Sequence, residues 1–133
     1  MRIRRPDNKD ALSIVIEAER QMRFTLALPV DDDSSFTIVR NIYECFRMLG
    51  DALLVSRGFE AVDHVEPMNA LLRLDVDTGR PISTIDNLRR LRHNINYYGY
   101  HPSILETDDA IDIARTCFGQ LAEAVKKELD KDR

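Results

Sequence analysis

Cysteine, glycine and histidine are scarce in this chain of 133 residues, and no long apolar run interrupts it. Its two cysteines, Cys45 and Cys117, cannot form a disulfide scaffold. Both fall within apolar periodic segments, so buried reduced thiols are expected. The five glycines are dispersed and make no phosphate-cradling loop. With three histidines, no Cys–His spacing suits zinc, and no Glu-x-x-His pair supports a di-iron bundle. Asp75-Val76-Asp77-Thr78-Gly79 hints at a calcium loop, but its glycine comes one position early and Asp86 stands where the closing glutamate belongs. Nor does a Gly-Ser pair precede Asp75 and Asp77, as a nucleotidyltransferase would need. No metal or cofactor is therefore expected.

No apolar stretch approaches the ~20 residues of a membrane span. The basic start Met1-Arg2-Ile3-Arg4-Arg5 runs directly into charged sequence, so no secretory signal is expected and a cytoplasmic location is. The net charge of −4 argues against coating nucleic acid by bulk electrostatics, while leaving room for a local phosphate-binding cluster. With 44% hydrophobic and 32% charged residues, the balance is that of a folded soluble protein. The length suits a single domain over residues 1–133.

What is present is helical periodicity. Ala11, Ile14, Val15, Ala18, Met22 and Leu26 recur at steps of three and four. Leu12, Ile16, Phe24 and Leu28 lie off that face, so the first helix has two apolar sides, one for a core and one for a partner. After Pro29, Ser34 and Ser35 are expected to cap a second helix, with Asp31 to Asp33 at its positive end. Its stripe is Val39, Ile42, Tyr43, Phe46, Leu49 and Leu53, and Gly58 stops it. Asp63 and Glu66 have capping-box spacing ahead of a short helix that accepts Pro67 in its first turn, with His64 a capping-region residue. A turn over residues 75–81 follows. A fourth helix opens near Ser83 or Thr84 and ends at Gly99, and Thr107, Asp108 and Asp109 are expected to start the last one. No segment alternates with period two, and no repeat occurs. The expected fold is an all-α, antiparallel up-and-down bundle of four to five helices.

The fourth helix is the segment suited to chemistry. At about 100° per residue, Leu88, Leu91, Ile95 and Tyr98 form its core stripe, and Arg92 falls at the stripe's edge. Arg89, Arg92 and Asn96 project along one side as neighbours, with His93 further round. Guanidinium forks bind phosphate oxygens bidentately and stay charged, and an amide both donates and accepts. An arginine on a helix flank also commonly pairs with a carboxylate and faces water, so spacing leaves both readings open. Tyr97 and Tyr100 suit base stacking or a packed seam equally.

The order of these features resembles the HEPN superfamily of small helical bundles. Ala52 to Phe59, then Asp63-His64 with Leu71-Leu72, resemble that family's central helix pair; Leu91-Arg92-His93 followed by Asn96-Tyr97-Tyr98-Gly99 resembles its signature late helix. The likeness covers residues 36–101. It implies a homodimer with Arg and His from both subunits at the seam, where nuclease members cut RNA without a metal. There a histidine assists proton transfer at the ribose 2′-hydroxyl and the arginine offsets phosphate charge. The family's arginine is followed, after four to six residues, by histidine.

Here Arg92-His93 matches the arginine-polar pair, but Tyr97 occupies the histidine's place, and a phenol with an ordinary pKa near ~10 is a poor base at neutral pH. The candidate catalytic residues are thus Arg92, His93, Tyr97 and the later His101, and the candidate phosphate ligands are Arg89, Arg92 and Asn96. The resemblance implies an RNA- or nucleotide-phosphate-binding protein, either a metal-independent ribonuclease or the toxin-like partner of a nucleotidyltransferase. The alternative is an inactive dimeric scaffold or regulatory module.

Overall fold

Helix follows helix in the computed structural model, which describes residues 1–63 and 65–131. A two-residue strand β1 (Arg2–Ile3) leads into α1 (Asn8–Leu26), α2 (Ser35–Ser56) and a second short strand, β2 (Phe59–Glu60). Next come α3 (Val65–Leu72), a 3₁₀ turn (Ile82–Thr84) and α4 (Ile85–Tyr98). The chain closes with one long helix made of α5 (Ile104–Ile113), a π turn (Ala114–Phe118) and α6 (Gly119–Lys131). This is an all-α bundle, and none of its described helices is long and apolar enough to cross a membrane.

α2 is the central element. Its predicted stripe of Val39, Ile42, Tyr43, Phe46, Leu49 and Leu53 is entirely buried. It packs against α1, α3, α4, α5 and α6. Each large side chain so buried contributes roughly 1.5–3 kcal/mol, which makes α2 the main source of cohesion. Phe46 meets Phe118 edge-on, with ring centroids 5.4 Å apart, and joins α2 to the π turn. Cys45 and Cys117 are both buried and reduced, and burial pushes the Cys45 thiol up to about 12. α1 buries Ala11, Val15, Ala18 and Met22 against this core and leaves Ile16 and Phe24 exposed on its other side.

The helix ends follow local chemistry, with three departures from the expected pattern. Gly58 (φ 87°) and Gly99 (φ 62°) take the left-handed conformation that ends α2 and α4. At the start of α2, Asp31 rather than the serines collects the free N–H groups: its Oδ1 accepts from Asp33 N at 2.9 Å and Ser34 N at 2.8 Å. The Ser34 hydroxyl turns back to the Pro29 carbonyl at 2.7 Å, so it caps nothing in the helix. The final helix starts at Ile104, not at Thr107. Ser103 and Glu106 form a full capping box there, and Thr107 is already buried inside the helix. The third departure is the antiparallel pair β1–β2, too short to show in a period-two pattern. The left-handed turn at Gly58 brings the N-terminal segment alongside, and Arg4 N donates to Gly58 O at 2.9 Å. Asp63 Oδ1 accepts from Val65 N at 2.9 Å at the head of α3; the expected role of His64 lies outside the described residues.

One turn of the C-terminal helix widens at residues 114–118, which frees the Thr116 carbonyl to accept from Gly79 N at 3.0 Å. Arg80 adds ion pairs to Asp109 (2.7 Å) and Asp112 (3.1 Å). The 75–81 turn is thereby fastened to that helix.

α3 crosses α2 at Gly50. A Cβ there would overlap the Pro67 backbone carbonyl, so the two helices approach more closely than any other residue allows. Gly50→Ala is expected to destabilise the protein by roughly 3 kcal/mol, the upper part of the range for overpacking. Urea unfolding followed by circular dichroism checks this; an unchanged midpoint would show that the crossing is looser than described.

Candidate functional site

α4 carries the candidate residues because its sequence is amphipathic and its two ends are defined, by the 3₁₀ turn and by Gly99. Ile85, Leu88 and Ile95 are buried, and Leu91 is half-buried. Tyr98, expected as the last core residue, is 76% exposed. The reason is geometric: the buried stripe of α4 ends at Ile95, and its last turn runs beyond the core.

Arg92 is half-buried at the edge of that stripe, as the helical wheel predicts. Its guanidinium carbon lies 5.4 Å from the ring centroid of Tyr43 on α2. A guanidinium over a phenol face gains about 0.5–2 kcal/mol, depending on how far it is desolvated. The same proximity shows in Tyr43: burial pushes its hydroxyl's pKa up, while the Arg92 charge pulls it down, with burial prevailing. Among the described residues Arg92 has no carboxylate partner. Arg89 differs. Its guanidinium pairs with Asp86 at 2.8 Å, one turn earlier on the same helix, so much of its charge is already answered.

His93, Tyr97 and Tyr98 form a cluster of rings at the solvent. The His93 ring lies 4.7 Å from that of Tyr97, tilted by 39°, and 5.7 Å from that of Tyr98, nearly edge-on. Tyr97 is 68% exposed, and Asn96 is exposed beside it. Arg89 and His93 also line an open cleft of about 390 Å³ with Val65, Asp86 and Arg90. On α4, Asn96 lies one turn from Arg92, while His93 joins Tyr97 and Tyr98. At 100° per residue Tyr97 falls about 140° round the helix from Arg92, with Arg89 between them. No contact joins Arg92 to these rings among the described residues.

His101 stands apart from this group. Beyond Gly99 the chain turns toward α5. Tyr100 N donates to Asn94 O at 3.1 Å, and the Tyr100 hydroxyl donates to Glu106 Oε1 at 2.6 Å. Asn94 lies about 160° round the helix from Arg92, taking 100° per residue. His101 is exposed, and no hydrogen bond, ring contact or ion pair joins it to Arg92 among the described residues.

Comparison with protein-family models, curated proteins and solved structures finds no match for the chain. The site is therefore read from its own geometry. Among the described residues no three His, Cys, Asp or Glu side chains stand where they could hold a metal ion.

Sequence reasoning missed Tyr43, which lies far from Arg92 along the chain and carries no local sign that it supports a cation. It also missed Glu106, although Ser103-x-x-Glu106 after Pro102 is a readable capping signal. Partial burial raises the Glu106 pKa, but the Ser103 backbone N–H, the Tyr100 hydroxyl and the Ser103 side chain together outweigh it, and the net shift is downward. A carboxylate whose folded value is depressed holds its contacts fully above its ordinary value of 4.5 and loses them as pH falls through the lowered one. The 99–103 turn is thus expected to keep its form from neutrality down to the ordinary carboxyl range and to loosen only below it. NMR shifts of the Tyr100 and Ser103 amides across a pH titration check this; a transition centred above 4.5 would show that Glu106 does not hold the turn.

Proposed function

We propose that this is a HEPN-like protein that binds RNA by its phosphate groups, with Arg92 as the anchor. The observation carrying this reading is the Arg92 guanidinium, oriented on the Tyr43 ring and without a carboxylate partner among the described residues, one turn from the exposed Asn96. A cation already held on one side loses little freedom on meeting an anion, and its fork remains able to donate two parallel hydrogen bonds. Asn96, one turn further on, can donate to a second phosphate oxygen or a ribose hydroxyl. Arg89, neutralised in part by Asp86, adds field more than contact.

Binding is favoured over cleavage. Tyr97 holds the position of the family's histidine, and its exposed ring packs on His93. Cleavage would fall to His93 as the proton-transfer group beside the 2′-hydroxyl, with Arg92 offsetting charge on the phosphorus and no metal required. His101 makes no contact with Arg92 among the described residues and is the reserve proton-transfer candidate. A homodimer fits the second apolar side of α1, where Ile16 and Phe24 are exposed, and a nucleotidyltransferase partner follows from the family resemblance alone. A specific observation also favours the scaffold reading: the contact between Arg92 and Tyr43 joins α4 to α2 whether or not a ligand is present.

Fluorescence anisotropy of a labelled oligoribonucleotide in EDTA separates the two. Arg92→Ala is expected to weaken binding on the order of tenfold or more, since a charge-assisted contact contributes about 1.5–3 kcal/mol. The dependence of log affinity on log salt should also flatten by about 0.7, the value of one phosphate contact on a single strand. Gel analysis of the same samples reports cleavage. Wild-type binding by a folded Arg92→Ala variant would overturn the anchor and leave the scaffold.

A further inference from the structure

The close crossing of α3 over α2, at Pro67 and Gly50, sets how the two helices face each other beyond it. One turn further along α2 come Leu54 and Arg57. From α3 and the residue after it come Glu66, Asn69, Ala70 and Arg73. Positions 66, 69, 70 and 73 recur at steps of three and four, so they share one side of the chain, as 54 and 57 do on α2. These residues line a pocket of about 210 Å³. Leu54 and Ala70 are buried and supply its apolar part. Sites for drug-sized ligands begin near ~300 Å³, so this one suits a smaller molecule.

The polar groups of the pocket are unanswered. Glu66 is half-buried, its Oε2 is buried without a hydrogen-bond partner, and no cation pairs with it among the described residues. A buried carboxylate oxygen that lacks a donor is destabilising, and folded proteins leave few of them. Arg57 and Arg73 are exposed and have no carboxylate partner among the described residues, and the Asn69 amide makes no hydrogen bond there. Arg80 and Arg89, by contrast, each hold a carboxylate, at 2.7 and 2.8 Å. Glu66 and Arg73 do not answer each other along α3. They are separated by ~10 Å at 1.5 Å per residue, and direct pairing needs steps of three or four.

We propose that this pocket binds a free acidic α-amino acid, aspartate or glutamate. The ligand's ammonium donates to Glu66. Its two carboxylates accept from the guanidinium forks of Arg57 and Arg73, which match carboxylate geometry, and Asn69 adds a neutral donor. The balance of charge selects this class. The pocket sets two cations and one anion around an apolar floor, and an acidic amino acid carries two anions and one cation on a short apolar stem. A dicarboxylate without the amine leaves Glu66 unanswered. A neutral amino acid leaves one guanidinium free, and a phosphate alone brings a second anion against Glu66. None of these residues belongs to the group proposed to hold RNA phosphate, so the two readings stand separately.

Isothermal titration calorimetry on the full chain tests this with L-glutamate and L-aspartate, their amine-free counterparts glutarate and succinate, and their amides glutamine and asparagine. At least one acidic amino acid is expected to bind saturably, at least tenfold more tightly than its amine-free counterpart and than its amide. Arg57→Gln and Arg73→Gln should each weaken that binding at least tenfold. Glu66→Gln should remove the advantage over the amine-free counterpart. Both arginines are exposed and the glutamate is replaced by a residue of its own size, so the variants should keep their fold, which circular dichroism checks. The comparison of ligands on the wild-type chain stands even where a variant does not fold. Absence of saturable binding by both acidic amino acids, equal affinity for the amine-free acid, or an advantage that survives in folded Glu66→Gln would overturn the proposal.

Discussion

A guanidinium resting on a phenol ring joins the core of this protein to its surface. Arg92 belongs to α4, and Tyr43 to the helix at the centre of the bundle. The phenol cannot move, because Tyr43 is fully buried and its neighbours on α2 are held on several sides. The arginine therefore has a fixed support. The contact favours one placement of a long side chain at the boundary between an apolar interior and water. That is the setting in which a cation binds an anion with the least loss of freedom and the least competition from solvent.

The rest of α4 follows from where Arg92 is held. With one flank over Tyr43, the opposite flank carries Arg90, Asn87 and Asn94 and faces the gap beside α5. The two flanks differ in kind. One carries Arg92 with Asn96 one turn away, the pair proposed to hold phosphate. The other offers an apolar floor with polar groups along its walls. Gly99 then turns the chain out of the helix, and the Tyr100–Glu106 hydrogen bond ties the turn to the start of α5.

Much of the fold was legible because it is written locally. The α2 stripe from Val39 to Leu53 is buried throughout, and Gly58 and Gly99 stop their helices where a left-handed residue is needed. Arg92 falls at the core edge that the 100° step places it at. What was not legible depends on partners distant in the chain. The periodicity of α4 continues through Tyr98, but no local pattern reveals that the buried stripe stops at Ile95. Arg89 and Arg92 both read as phosphate ligands from spacing on one side of the helix. They differ because Asp86 stands one turn before Arg89, while Tyr43 on another helix receives Arg92. The start of the last helix was misplaced for a different reason. Thr107-Asp108-Asp109 and Ser103-x-x-Glu106 are both capping signals, and only the second has its hydroxyl turned toward a free N–H.

The central claim is that Arg92, and not its neighbours, meets the phosphate. Side-chain Nε–Hε resonances of arginine report this directly in a protein labelled with nitrogen-15. On titration with an unlabelled oligoribonucleotide, the account predicts that the Arg92 resonance shifts first and furthest, while that of Arg89, tied to Asp86, moves little. A saturable interaction that leaves the Arg92 resonance in place would contradict it.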